Sequence, residues 1–151
     1  MNAFAAFLHH VFFVVIMLVL FAELLLLKEP LTLASARKIR RYDRVYGIVA
    51  LLIVIVGVLR VLYFEKGADY YLHSASFIAK MLLFAVVGLL SAYPTITFIR
   101  WGASLRQGQV PVLHDADKRR LRIVLHLEAT LLIAVILCAA LMAKGIGYFG
   151  G

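Results

Sequence analysis

Four long apolar stretches dominate the chain, and the segments between them hold most of the charged residues. The stretches cover residues of about 4–27, 45–64, 74–99 and 123–143. A helix that crosses a bilayer needs ~20 apolar residues, and lipid offers no water to an unpaired backbone amide, so helices are expected. The pattern therefore predicts an all-α, four-transmembrane-helix bundle, with a kink near Pro94 in the third span.

The composition agrees with this pattern. The 151 residues are 64% hydrophobic and 16% charged, and the mean hydropathy is +0.98. A soluble core of this size cannot bury so many apolar residues, so an integral membrane protein in a lipid bilayer is indicated. No long polar linker divides the spans, and residues 1–151 are expected to form one domain. The first span lacks the basic start of a signal peptide and is expected to be retained.

The basic residues predict the topology. Twelve of the sixteen Lys and Arg residues lie in two connections, six after the first span and six after the third. Such connections face the cytoplasm, where they would also contact anionic lipid headgroups. Both termini and the EKGADYY connection are then expected outside, on the periplasmic face. The net charge of +8 is thus a topology signal, and nucleic-acid binding is not indicated.

Ionisable residues inside the spans are the candidates for function. Each costs at least ~2.5 kcal/mol at the centre of a membrane helix and tends to face protein or water. In the outer half, His9, His10, Arg60 and Lys80 lie at nearly one depth, ~6 to 10 Å below the boundary at 1.5 Å per residue. His73 is seven residues before Lys80, so the two share one stripe of the third helix.

A b-type haem would use this outer group. His9 or His10 would be the axial metal ligand, and Lys80 would be a second ligand or the partner of a propionate. Arg60 would pair with a carboxylate, while His73 and Tyr70 would lie at a propionate or at the entrance. Lys80 and Arg60 are also the candidate catalytic residues. Alternatively, the histidines bond neighbouring helices, the cations reach toward the interface, and the tyrosines form an aromatic belt.

A second group lies in the cytoplasmic half. Glu23 of the first span is opposite His126 and Glu128 of the fourth. These groups could pass protons, or Glu23 could pair with His126 or with a loop arginine and fix the helices together. His126 and Glu128 are ~200° apart around a helix, so only one of them can face Glu23 squarely.

Disulfide, copper and loop metal sites are less well supported by the sequence. Cys138 is the only cysteine, so no disulfide or CxxC motif exists within one chain. A copper path would need convergent Met and Cys ligands, and the methionines are scattered. His114, Asp115 and Asp117 are expected to form a solvated turn. A transport or permeation protein, and a cofactor-free accessory subunit of a membrane complex, stay open as alternatives, and so does a homo-oligomer.

Several runs of the sequence resemble a known family. DRVYG, GVLR, EKGADYY, FIAKMLLF and LLSAYPTITFIRW are similar to a bacterial family of four-helix predicted membrane proteins of unknown function, and the resemblance covers almost the whole chain. It implies a multi-pass protein of the bacterial inner membrane.

More distantly, the chain resembles HemJ-type protoporphyrinogen oxidases and CopD-like membrane proteins of the b-cytochrome group. In HemJ-type proteins a histidine of helix one and a lysine of helix three are implicated in haem binding, and by motif they correspond to His9 or His10 and to Lys80. The Trp, the Tyr-Leu-Pro-Arg run and the helix-four proline of those proteins are missing here. The resemblance thus implies a haem b pocket and electron transfer or oxidoreductase activity, with quinol or a porphyrinogen as the electron donor.

Overall fold

The computed structural model describes residues 2–64 and 73–149, and within these ranges the chain forms helices and no strand. The helices are α1 (Asn2–Leu26), α2 (Leu33–Leu59), α3 (Ala75–Arg100), the short α4 (Gly102–Arg106) and α5 (Asp115–Ala143), and a π-helical turn over Arg60–Phe64 follows α2. Four of them, α1, α2, α3 and α5, are long and apolar enough to cross a membrane. The prediction of an all-α protein with four spans is confirmed.

Two helices begin earlier than the apolar stretches suggest. The α2 helix begins after Thr32, whose side chain accepts a hydrogen bond from the Ser35 amide while Ser35 Oγ accepts one from the Thr32 amide. This reciprocal capping satisfies two amides that a helix start leaves unpaired. In α5, Asp115 and Asp117 occupy the first turn, where acidic side chains interact favourably with the helix dipole. The predicted solvated turn is therefore partly helix.

The four long helices form two antiparallel pairs. The most extensive contacts join α1 to α2, the N-terminal hairpin, and α3 to α5, the C-terminal hairpin, while α1–α5 and α2–α3 meet less closely. The hairpins enclose an apolar core whose best buried members are Ile16, Leu20, Leu27, Ile39, Phe98, Leu121, Leu125 and Leu132. The other faces carry exposed aliphatic and aromatic side chains, as expected for helices in lipid.

The segment after α5 is fixed to the start of α3 by hydrogen bonds. The Ala75 amide donates to the Gly147 carbonyl (2.9 Å) and the Phe149 amide to the His73 carbonyl (3.0 Å). Ser76 Oγ donates to the Ile146 carbonyl at 2.7 Å. These bonds satisfy backbone groups at the start of a membrane helix, where unpaired groups are costly.

Gly147 should be the most sensitive glycine of this segment. Its φ is +87°, and an added Cβ would lie 3.1 Å from Ser76 Oγ, whereas Gly145 has a φ of +73° and nothing within 4 Å. A left-handed conformation costs an L-residue ~1 to 2 kcal/mol. We expect Gly145→Ala to lower the free energy of unfolding by about that amount and Gly147→Ala to lower it further. Thermal unfolding in detergent, followed by circular dichroism, measures both; equal losses would contradict the crowding at Ser76.

Candidate functional site

A cavity lies between the hairpins near the N-terminus of α1. Its volume is 190 Å³, and we call it the histidine cavity. Two of its lining side chains, His9 of α1 and Lys80 of α3, are titratable, and the others are apolar or glycine. All four long helices and the π-helical turn contribute to the lining: His9, Phe13, Ile53, Val54, Gly57, Val58, Val61, Leu62, Phe77, Lys80, Met81, Phe84 and Val135.

The imidazole of His9 packs closely against α2 because Gly57 has no side chain at the point of contact. An added Cβ at Gly57 would lie 3.3 Å from His9 Cε1, so the imidazole occupies space that a larger residue would take. His9 Nδ1 is buried and has no hydrogen-bond partner among the described residues. The ring also lies within electrostatic range of Arg60 and Lys80. The imidazole thus brings a polar ring to the cavity wall, with Nδ1 itself packed against α2.

His10 differs from its neighbour. It is exposed, and its Nδ1 lies 2.6 Å from the carbonyl oxygen of Ala6 on the same helix, to which it donates. It does not line the histidine cavity. Of the two candidate histidines, the structure therefore brings His9 to the cavity and leaves His10 on the outer surface of α1.

The other outer candidates take different positions. Lys80 is half-buried, with Nζ 5.0 Å from the centroid of the Phe77 ring, and Arg60 opens the π-helical turn beside the cavity. His73 is exposed, and its ring contacts that of Phe149 with centroids 5.9 Å apart. It is not among the cavity-lining residues. Tyr70 lies outside the described residues.

A second polar site lies between the hairpins near the other end. Glu23 of α1, Asp43 of α2 and Glu128 of α5 are only 2%, 8% and 1% exposed, and we call them the carboxyl cluster. Tyr46 of α2 donates its hydroxyl to Glu128 Oε2 at 3.1 Å. Thr95 of α3 donates Oγ1 to Asp43 Oδ1 at 2.7 Å. Every long helix thus contributes a polar group to this site.

The carboxyl cluster is not fully satisfied within the protein. Glu23 Oε1 and Glu128 Oε1 are buried without a hydrogen-bond partner, and Glu23 interacts electrostatically with both Asp43 and Glu128. In residues 2–64 and 73–149, no cation is paired with these carboxyl groups, and no group of three or more acidic, His or Cys residues is arranged to hold a metal ion. The cluster therefore contains acceptors that lack donors.

The pairing of Glu23 with His126, one of the alternatives for the cytoplasmic group, is wrong. His126 is exposed, and its Nδ1 lies 2.6 Å from the carbonyl oxygen of Arg122 on its own helix, whereas Glu128 faces the bundle. The ~200° separation of the two residues accounts for this. Sequence reasoning missed Asp43 because it precedes the apolar stretch of 45–64, and Tyr46 because it lies at the start of that stretch. Their spacing of three, one helical turn, is the signal that could have placed them on one face.

The fold and these sites define a class, the four-span helical membrane proteins with polar groups enclosed between two hairpins. The family model described as predicted membrane protein (DUF2214) matches residues 1–147, and the chain belongs to this family. No curated protein and no solved structure matches the chain.

Loss of the Tyr46 hydroxyl should weaken the contact between the hairpins. Tyr46→Phe removes the donor to Glu128, and an interhelical hydrogen bond in a membrane protein contributes ~0.6 kcal/mol, with values up to ~1.7. We expect Tyr46→Phe to lower the free energy of unfolding in detergent by an amount within this range. Tyr42→Phe is the matched control, because Tyr42 is half-buried on the same helix and makes no side-chain hydrogen bond in the described residues. Equal effects of the two changes would contradict a specific contribution of the Tyr46–Glu128 bond.

Gly57 should be needed for the position of His9. Gly→Ala inside a helix is ordinarily favourable by ~0.5 to 1 kcal/mol, and we expect this gain for Gly88→Ala, since nothing lies within 4 Å of an added Cβ there. Gly57→Ala should instead be destabilising, because the methyl group crowds the imidazole. In the double variant His9→Ala/Gly57→Ala, the penalty should disappear relative to His9→Ala alone. Unfolding measurements on the set test this, and a penalty that persists without the imidazole would overturn it.

Proposed function

We propose that the histidine cavity binds the headgroup of a membrane quinone, and that the chain is a quinone-binding protein of the bacterial inner membrane with a role in electron transfer. The observation that carries the proposal is an apolar cavity of 190 Å³ whose lining includes one imidazole and one ammonium group. With both termini outside, as the basic connections predict, this cavity would be near the outer face.

The volume suits a single ring. An engineered apolar cavity of ~150 Å³ in another protein takes up benzene, so 190 Å³ accommodates a substituted six-membered ring. Pockets for drug-sized ligands are larger, ~300 to 1,000 Å³. The cavity thus favours a ligand that inserts one ring and leaves the rest of the molecule outside.

The polar groups suit the carbonyl oxygens of a quinone. A neutral imidazole has one N–H donor, and the ammonium group of Lys80 has three. Two quinone oxygens on opposite sides of the ring could accept from His9 and Lys80, while the aliphatic and aromatic walls enclose the ring.

The cavity also has an opening for the isoprenoid tail. Val54 and Val58 of α2, Leu62 of the π-helical turn and Met81 of α3 line it, and all four are exposed on the outside of the bundle. These residues border the gap between α2 and α3, which meet less closely than the helices within each hairpin. In a bilayer this gap faces lipid, the medium in which quinone tails dissolve.

Haem b is the second candidate, and the presence of the His9 imidazole in the cavity wall is the observation in its favour. A haem supplies one-electron transfer when bound; this chain would contribute the His9 imidazole as the axial ligand and Lys80 or Arg60 beside the propionates. A porphyrin joins four pyrrole rings in one plane, however, and needs more room than a cavity close in size to one benzene site. The volume therefore supports the quinone better than the haem.

Binding of a short-chain quinone to the full-length protein in detergent tests the proposal by isothermal titration calorimetry. His9→Ala and Lys80→Met should each weaken binding about two- to twelve-fold, the equivalent of a lost hydrogen bond of ~0.5 to 1.5 kcal/mol. His10→Ala and Lys144→Met are matched controls, since both residues are exposed and away from the cavity, and should bind as the wild type does. Absence of binding by the wild type, or equal weakening by His10→Ala, would overturn the proposal.

Absorption spectra of the same preparations, oxidised and dithionite-reduced, separate the two candidates. A Soret band with reduced α and β bands, lost in His9→Ala and kept in His10→Ala, would replace the quinone with a b-type haem. A colourless protein that binds the quinone supports the first proposal, and a colourless protein that does not bind it excludes both ligands.

A further inference from the structure

The carboxyl cluster lies at the opposite end of the bundle from the histidine cavity, and its role does not depend on the proposed quinone. We propose that Glu23, Asp43 and Glu128 form a proton-binding site, which retains at least one proton in the folded protein at neutral pH and exchanges it with water. The ligand is the proton, and the exchange is the dissociation of a carboxyl group to a carboxylate, with the proton passing to water.

The first support is the burial of three acids without a cation. Moving an unpaired ionised carboxylate out of water costs several kcal/mol even after the protein relaxes, and nearby carboxylates in addition repel one another. Glu23, Asp43 and Glu128 are at most 8% exposed. Three negative charges between the hairpins would be costly, and a retained proton removes that cost for the group that carries it.

The second support is the pair of unpartnered oxygens. Glu23 is 2% exposed, and its Oε1 has no hydrogen-bond partner, nor does Oε1 of Glu128. An ionised carboxylate has only acceptor sites, whereas a protonated carboxyl group also has one O–H donor. A proton on one of these groups therefore supplies a donor to a site that is rich in acceptors.

The groups that face the site from the surrounding helices offer no alternative charge balance. They are the hydroxyl of Tyr46 on α2 and that of Thr95 on α3, each already donating to a carboxyl oxygen, besides the three acids on α1, α2 and α5. His126 and Arg122 lie on the same helix as Glu128, but His126 is exposed and bonded to the Arg122 carbonyl. Arg122 Nε is itself buried without a hydrogen-bond partner, and no basic group of the described residues is paired with a carboxyl group of the cluster.

The position of the carboxyl cluster permits proton exchange with water and links that exchange to the association of the two hairpins. Glu23 is three residues from the end of α1 at Leu26, a distance of ~5 Å along the helix, so the path to water is short. The bonds Tyr46–Glu128 and Thr95–Asp43 join the N-terminal to the C-terminal hairpin. Loss of the proton adds a negative charge between the hairpins and weakens their association.

Infrared spectroscopy of the full chain in detergent at neutral pH tests the proposal, because a protonated carboxyl group has a C=O stretch separate from the bands of carboxylates. We expect this band in the wild type, a shift of it in D₂O, and its loss or reduction in at least one of Glu23→Gln, Asp43→Asn and Glu128→Gln. Glu29→Gln is the control, since Glu29 is exposed beyond the end of α1, and should keep the band. A wild type without the band, or a band that all three variants keep, would overturn the proposal.

The pH dependence of unfolding gives a second readout, and its main result comes from the wild type alone. If the native state binds more protons than the unfolded state, the free energy of unfolding falls as pH rises. We expect the melting temperature of the wild type to decrease from about pH 7.5, where histidines are neutral in both states, to mildly alkaline pH. Glu23→Gln should flatten this slope more than Glu29→Gln does. A melting temperature that is constant or rises over this range would contradict a retained proton. Neither readout involves a quinone, so its result is distinguishable from that of the binding experiment.

Discussion

The arrangement of this bundle depends on hydrogen bonds between its two hairpins. Lipid tails are as apolar as the helix surfaces, so apolar burial alone gives membrane helices little reason to prefer one neighbour over another. Within each hairpin the connecting segment keeps the helices together. Between the hairpins, inside the bundle, hydrogen bonds join Tyr46 to Glu128 and Thr95 to Asp43, and both link α2 to a helix of the other hairpin. At the helix ends, Lys118 donates to the carbonyl groups of Lys28 and Glu29, and Arg37 donates to that of Leu105.

The same constraint explains where function is to be sought. A polar side chain inside a membrane is costly unless it meets a partner or water, and here two groups of polar atoms fall short of full pairing. His9 Nδ1 lies at one end of the bundle, and Glu23 Oε1, Glu128 Oε1 and Arg122 Nε lie at the other; all four atoms are buried and unpartnered among the described residues. The two proposed sites are therefore separate.

Hydropathy was sufficient for the class of fold but not for the sites. The four spans follow from run length alone, because a bilayer demands ~20 apolar residues per crossing. Helical phase also succeeded in α1: His9, Ile16 and Glu23 are seven residues apart and share one stripe, whereas His10 is ~100° away. Ile16 and Glu23 are both buried, and His9 lines the cavity while His10 does not. Asp43 falls outside the predicted second span of 45–64, because the helical extension of α2 depends on a local cap at Thr32, which hydropathy does not detect.

The two sites are separated by a layer that a proton cannot readily cross. His9 and Glu23 are fourteen residues apart on α1, or ~21 Å along the helix. The buried side chains of the described residues between these levels are all apolar on each helix: Ile16, Val19, Leu20, Val49, Ile53, Val87 and Leu132. A direct proton relay from the carboxyl cluster to the histidine cavity therefore lacks hydrogen-bonding groups for most of its length. Both the cavity and the cluster lie between the hairpins, so a movement that separated the hairpins would affect both sites.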